Sequence, residues 1–279
     1  MNRFLTIYFC FLICLGQSLR SQSSSTLDKI RKTKILSVSV NEFYDPFYID
    51  SPNPDFPGFD VELATEYAKF LDVELKIVPL RTFDQHSKSL DRGDTQIALA
   101  GLSSSLLRFK EVYFTDPYLT STPAALVSRN ALPPEPEGQI VTVQLFRTLT
   151  DLQNISGITY SVLANSSNHF FLRETFPKAQ VFSYFTNDSA LNELKKNSVT
   201  AFVADSFYIQ ALLQKDTSLR ANYLPILGLV QEDHISMAVA KRDPEFVYHL
   251  NFFIKEMRRT GKIQALVNKY FKSNAWIKN

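Results

Sequence analysis

A chain of 279 residues with 45% hydrophobic content can bury one large core or two smaller ones. Its formal net charge of +2 is spread along the sequence without a basic tract or an RNA-type aromatic motif, which argues against a nucleic-acid partner.

The N-terminal stretch MNRFLTIYFCFLICLGQSLRSQSSS has a basic start at Arg3, an apolar run from Phe4 to Leu15 and then small polar residues. This is the layout of a secretory signal peptide over residues 1–22, cleaved near Ser18–Ser23, and it implies a periplasmic or secreted protein. The apolar run is short for a membrane span, and a signal anchor is the competing reading. Cys10 and Cys14 both lie inside this segment, so the mature chain is expected to hold neither a disulfide nor a thiol nucleophile. Lipidation of Cys14 stays open, although Ile13 stands where lipoproteins usually carry a small residue.

Beyond the Ser-rich spacer, KILSVSVNEFYDPFYI reads as a strand running into a loop, and DVELATEYAKFLDV has the apolar spacing of an amphipathic helix. ELKIVPL is a strand, TFDQHSKSLDRG a helix closed by Gly93, and TQIALAG a buried strand. Near residue 122 the pattern changes to the extended segment STPAALVSR and the Pro-rich loop NALPPEPEGQ. GITYSVL, AQVFSYF and VTAFVAD then read as strands, alternating with helices over SSNHFFLRETF, NDSALNELKKN and SFYIQALLQKD. The strand ISMAVAK leads into two C-terminal helical stretches, PEFVYHLNFFIKEMRRTG and IQALVNKYF. Strands alternating with helices predict an α/β fold with largely parallel sheets, in two similar units.

The stretch ALAGLSSSLLRFKEVYF puts a glycine, three serines and an arginine at the end of a buried strand. In an open α/β sheet ligands bind at that end. Gly101 allows close backbone approach, Ser103, Ser104 and Ser105 are N-cap candidates for a helix over LLRFKEV, and Arg108 suits a carboxylate. In isolation, serines that only cap a helix and a solvated arginine are the favoured explanation of the stretch.

Three further segments resemble the extracytoplasmic amino-acid-binding proteins of bacterial ABC importers, the family-3 solute-binding type. They are Gly58-Phe59-Asp60-Val61-Glu62-Leu63-Ala64, Ala100 to Arg108, and Phe114-Thr115-Asp116-Pro117-Tyr118, in the family's order. The resemblance implies a two-lobed periplasmic-binding-protein fold (type II) with a ligand cleft between the lobes. It assigns lobe one to residues 27–122 plus 236–279 and lobe two to residues 123–235, with hinges near Ser121–Leu126 and Gln231–Met237. It also implies that Arg108 holds a ligand α-carboxylate, that Ser103 and the Ala100–Gly101 backbone contact the head group, and that Tyr44 and Phe83 supply aromatic walls. Ser166 and Ser167 would close from the second lobe, with Asn165 in place of the usual glycine, and Asp205 would pair with the ligand's ammonium. Taken alone, Tyr44 and Phe83 read as core aromatics, and Ser166, Ser167 and Asp205 as helix caps. The amide at Asn41 and the apolar Leu163 point to a ligand with a neutral side chain.

The function implied is capture of an amino acid, or a similar small zwitterion, by hinge closure and its delivery to an ABC transporter permease. The protein is expected to act as a monomer without metal or organic cofactor. His86, His169, His234 and His249 lack metal-ligand spacing, and no HExxH, P-loop or GxSxG pattern is present, so no enzyme is expected. Two alternatives stand beside this reading. One is a secreted cyclohexadienyl-type dehydratase on the same fold, for which Glu42 is the candidate acid. The other is a free-standing ligand sensor.

Overall fold

The computed structural model describes residues 25–50, 53–134 and 146–277. Residues 1–22, with Cys10 and Cys14, lie outside the described residues, as does the second half of the Pro-rich loop, residues 135–139. The first helix, α1 (Thr26–Thr33), is capped by Ser25, whose side chain accepts the Asp28 N–H. β1 (Ile35–Asn41) is followed by α2 (Phe59–Leu71), β2 (Glu74–Leu80), α3 (Phe83–Arg92) and the short β3 (Ile97–Ala98). The chain then runs through β4 (Val112–Phe114), β5 (Leu119–Ser121) and β6 (Pro123–Ser128). A second set comprises β7 (Thr159–Leu163), α4 (Ser167–Thr175), β8 (Gln180–Tyr184), α5 (Asn187–Lys195), β9 (Ala201–Asp205) and α6 (Ser206–Lys215). It ends with α7 (Leu219–Asn222) and β10 (Tyr223–Ile226). The return path is β11 (Asp233–Ile235) and β12 (Ala238–Ala240), then α8 (Pro244–Arg259) and α9 (Lys262–Phe271).

These strands form two five-stranded sheets, in the orders β2-β1-β3-β12-β4 and β10-β6-β9-β7-β8. The same pairing pattern occurs in both. In the first, β1 runs parallel to β2 and β3, while β12 is antiparallel to β3 and β4. In the second, β7 runs parallel to β8 and β9, while β6 is antiparallel to β9 and β10. The sheets are therefore mixed, where the sequence predicts mostly parallel ones. The reason lies in the connections. Strands joined through a helix crossover run parallel, whereas β6 and β12 arrive from the other sheet with no helix between and pair antiparallel. The two crossing strands, β5 and β11, pair with each other antiparallel.

Local chemistry explains most helix limits. Thr82 caps α3 by accepting the Gln85 N–H, and Gly93, at φ +81°, closes it in the left-handed region. Asp243 caps α8, Pro244 sits in its first turn, and Phe246, Leu250, Phe253, Ile254 and Met257 bury one face. Each such side chain contributes about 1.5–3 kcal/mol of burial. One expected helix does not form. After the serines the chain makes only a 3₁₀ turn, Arg108–Lys110, before β4 begins. Leu106 and Leu107 are exposed, so there is no apolar face to bury and nothing to extend the turn. The strand expected over TQIALAG likewise shortens to Ile97–Ala98, because the chain leaves the sheet for the Gly101 turn.

Gly58 joins the loop after β1 to α2 at φ +115°, and a Cβ there would lie 2.5 Å from the Phe47 carbonyl oxygen. Gly157, at φ +81°, has nothing within 4 Å of such a Cβ. Gly58→Ala should therefore cost ~3 kcal/mol or more, and Gly157→Ala only ~1 kcal/mol, from the strained backbone alone. Urea unfolding of the two variants checks this, and equal losses would contradict the packing described for the β1–α2 loop.

Candidate ligand-binding cleft

The C-terminal ends of β1, β3, β7 and β9 converge on one cavity of about 450 Å³. Asn41, Leu163 and Asp205 are the last residues of β1, β7 and β9, and Ala100–Gly101 follow β3. This is where an open α/β sheet offers free backbone groups to a ligand. Every candidate ligand-binding residue from the sequence lines this cavity: Asn41, Tyr44, Phe83, Ala100, Gly101, Ser103, Arg108, Leu163, Ser166, Ser167 and Asp205.

Asp60 fixes the floor. It is fully buried and accepts the Gly101 N–H at 2.9 Å and the Tyr118 hydroxyl at 2.8 Å. Burial pushes its carboxyl up to about 7, although both hydrogen bonds pull the other way. Gly101, at φ +57°, lies against the Tyr44 ring, and a Cβ there would run into that ring. Tyr44 is held between Phe47, with centroids 4.9 Å apart, and Tyr208, at 5.7 Å. A tyrosine from the first sheet's loop is thus stacked on the second sheet's α6 helix.

The Tyr44 hydroxyl donates to Asp205 Oδ2. Asp205 is only 4% exposed, and its Oδ1 caps α6 by accepting the Tyr208 N–H at 2.9 Å. The cap reading and the cavity-facing reading of Asp205 therefore hold together. Desolvation raises its carboxyl to about 6, against the hydrogen bonds from Tyr44 and Tyr208, and the charge of Asp233 adds to the rise. Tyr44 is itself raised well above its ordinary value, first by burial and then by Asp205.

Arg108 stands on the other side of the cavity. Its guanidinium lies 4.8 Å from the Phe83 ring centroid, donates to the Ser103 carbonyl at 3.0 Å, and reaches the Asn165 carbonyl at 3.3 Å. Asn165 takes φ +57°, a left-handed conformation that asparagine tolerates, so the turn forms without the usual glycine. The two serines of that turn divide their roles. Ser166 caps α4, accepting the His169 N–H at 3.1 Å and donating to the Leu163 carbonyl at 2.7 Å. Ser167 faces the cleft, with its hydroxyl 3.0 Å from that of Ser103.

Asp233 was not visible as a site residue in the sequence. The Ser103 and Ser167 hydroxyls each lie 2.8 Å from its Oδ2, so it joins the first sheet's loop, α4 and the crossing strand β11. It falls inside the Gln231–Met237 segment marked as a hinge, which was the one signal available. His86 is a second omission. It is buried on α3, with Nδ1 2.9 Å from Ser39 Oγ and no hydrogen-bond partner at Nε2. Burial, with help from Arg108, lowers it to about 4, so it is neutral at physiological pH. Glu42 does not line this cavity. It lies at a separate concavity of about 500 Å³ and pairs with Arg81 at 2.6 Å. That hydrogen bond holds its carboxyl below the ordinary value, the opposite of what a general acid needs. Among the described residues no group of three or more His, Cys, Asp or Glu side chains could hold a metal ion.

Residues 36–273 match the profile of the bacterial extracellular solute-binding proteins, family 3. The chain is 29% identical to the cyclohexadienyl dehydratase of Pseudomonas aeruginosa over 74% of its own length and 70% of that protein's. It is 25% identical to the L-cystine-binding protein TcyJ of Escherichia coli, over 92% and 90% of the two chains. Among solved structures, the ancestral amino acid-binding protein AncCDT-1, a precursor of cyclohexadienyl dehydratase, superimposes with a TM-score of 0.72 at 26% identity. That match covers 89% of this chain and all of the ancestral one. The fold is accordingly the type II periplasmic-binding-protein fold expected from the sequence.

The Asp60 arrangement has a pH signature. A carboxyl whose folded value rises from 3.8 to about 7 contributes stability below pH 3.8 that is lost as the pH climbs through 7. The full shift corresponds to ~4 kcal/mol as an upper bound. Asp60→Asn should flatten the fall in melting temperature between pH 4 and pH 8 relative to the parent. A parallel pair of melting curves across that range would show that Asp60 carries no such cost.

Proposed function

The chain belongs to the bacterial extracellular solute-binding proteins, family 3, and from that premise we propose that it captures an amino acid, or a similar small zwitterion, in the cleft. One observation carries the reading. Arg108 and Asp205, of opposite charge, stand on elements of different sheets and line the same cavity. A zwitterion laid between them satisfies both, and a buried charge is stable only when something supplies its counter-charge. Ser103 and Ser167 stand beside Arg108 with their hydroxyls directed to Asp233, while Tyr44 and Phe83 give apolar walls.

Capture works by closure in this account. The division into lobe one (residues 27–122 plus 236–279) and lobe two (residues 123–235) follows the two sheets. The paired crossing strands β5 and β11 are the natural place for a hinge. A ligand that contacts both sides favours the closed arrangement by its differential affinity for it. The closed form is then what an ABC transporter permease in the membrane would recognise. In this reading residues 1–22 are a signal peptide cleaved near Ser18–Ser23, and the protein acts outside the cytoplasm as a monomer. A sensor role would use the same ligand and the same closure.

A second reading has a specific observation behind it. Asp205 is a buried carboxyl raised to about 6, which suits a proton donor near neutrality, and the Pseudomonas relative is a dehydratase. In that reading the cleft takes a cyclic carboxylic acid and Asp205, rather than Glu42, is the acid.

Thermal denaturation of the protein against the twenty amino acids and a set of cyclic carboxylates separates these readings. A ligand at about 100 times its dissociation constant adds ~2.7 kcal/mol and raises the melting temperature by several degrees. The expected result is a shift with one or a few amino acids. Arg108→Ala should lose that shift, because truncating one partner of a buried charge contact costs ~2–5 kcal/mol. Response to a cyclic acid alone would replace the binding reading with the dehydratase, and an Arg108→Ala variant that binds like the parent would refute the assignment of the carboxylate site.

A further inference from the structure

The charged groups of the cleft do not balance. Of those lining it, Arg81 is paired with Glu42 and Asp84 with Lys88, both at the exposed rim. That leaves Arg108 as the one unpaired cation among the described lining residues, facing Asp205, Asp233 and the exposed Glu111. Asp205 and Asp233 are held by neutral donors only: a tyrosine hydroxyl, a backbone N–H and two serine hydroxyls. His86, also on the lining, is neutral, and His234 next to Asp233 is turned to Glu232, 3.0 Å away. The rise of Asp205 to about 6, to which Asp233 contributes, is the electrostatic mark of this shortage of positive charge.

We infer that Asp233 is a specificity-determining residue that makes the cleft select a ligand of net positive charge. This rests on the amino-acid-binding reading given above and sharpens it. A neutral zwitterion brings one carboxylate to Arg108 and one ammonium to Asp205, and it leaves the half-buried Asp233 to share Arg108 with the ligand's carboxylate, with no cation of its own. Asp233 already engages both serine hydroxyls, so the ligand's carboxylate enters beside a fixed negative charge. Like charges in one site oppose each other unless a further cation is present. An additional amino or guanidino group on the ligand supplies it. The amide at Asn41, from which the sequence suggests a neutral ligand, lines the same cavity but carries no charge to set against Asp233.

The test uses ligand pairs matched in shape and differing in charge: lysine against norleucine, and arginine against citrulline. Cadaverine, which is lysine without its carboxylate, serves as a third arm. Isothermal titration of the parent protein should give at least one charged member binding ~10-fold or more tighter than its neutral partner. In Asp233→Asn, which keeps the hydrogen-bond acceptor and removes the charge, that ratio should fall to ~3-fold or less. Asp233→Ser provides a second variant should the amide disturb the local fold, and ligand-free melting curves show which variants are folded. Cadaverine binding as tightly as lysine would overturn the Arg108–carboxylate contact on which the inference rests, and markedly weaker binding of cadaverine would support it. Preference for a neutral or acidic amino acid, or a charge ratio unchanged by both substitutions, would overturn the role of Asp233 and leave amino-acid binding intact. Silence of all these ligands and of the twenty amino acids would overturn both.

Discussion

The Tyr44 hydroxyl resting on the Asp205 carboxylate is the contact on which the rest of the site depends. It crosses from the loop after β1 to the start of α6, and so from one sheet to the other. Each end is fixed by its own support. Tyr44 is aimed by its stack on Phe47 and Tyr208 and by the backbone of Gly101 against it. Gly101 is in turn held by Asp60, and Asp60 by Tyr118. Asp205 is fixed because its second oxygen caps α6. A neutral hydroxyl is a poor counterpart for a buried carboxylate, and Asp205 stays raised to about 6 as a result. In the reading proposed above, a ligand that carries positive charge completes the site.

The same economy of groups recurs on the opposite wall. Arg108 is held by two carbonyls and the face of Phe83, none of which neutralises it. The Asn165 carbonyl is on the far side of the cavity, so this arginine too reaches across. Together with the Ser103–Asp233–Ser167 cluster, these contacts tie the two sheets at three points around one cavity. Rearranging them is what opening or closing would require, because among the described residues the chain crosses between the sheets at β5 and β11. Packed elements with a few discrete contacts switch between arrangements rather than deform continuously.

Much of this was legible from the sequence because it is local. The Thr82 and Gly93 limits of α3, the Asp243–Pro244 start of α8 and the apolar stripe of α2 are written in residues a few positions apart. The cavity-lining set was legible through motif order rather than through spacing. What escaped was non-local. Asp233 meets Ser103 across 130 positions and Ser167 across 66. Its strand, β11, was missed: the strand read over ISMAVAK takes in only Ile235, the last residue of β11, before β12. Helix α1 was hidden in what reads as a Ser-rich spacer, and it is secured from the far end of the chain, where Asp243 accepts the Thr26 N–H at 2.6 Å. The helix expected after the serines failed for the converse reason. A good cap signal and an arginine do not make a helix when Leu106 and Leu107 have nothing to pack against.

The central claim is that Asp205 is a buried carboxylate waiting for a cation, and its own titration tests that most directly. Carbon-13 NMR of the aspartate carboxyls, with Asp205→Asn to assign the signal, gives its midpoint in the free protein and in the presence of the most stabilising amino acid. The account predicts a midpoint near 6 in the free protein, falling to the ordinary carboxylate range near 4 when the ligand's ammonium is bound. A midpoint that stays where it was on saturation would mean that the ligand's positive charge does not meet Asp205, and the account of the site would be wrong.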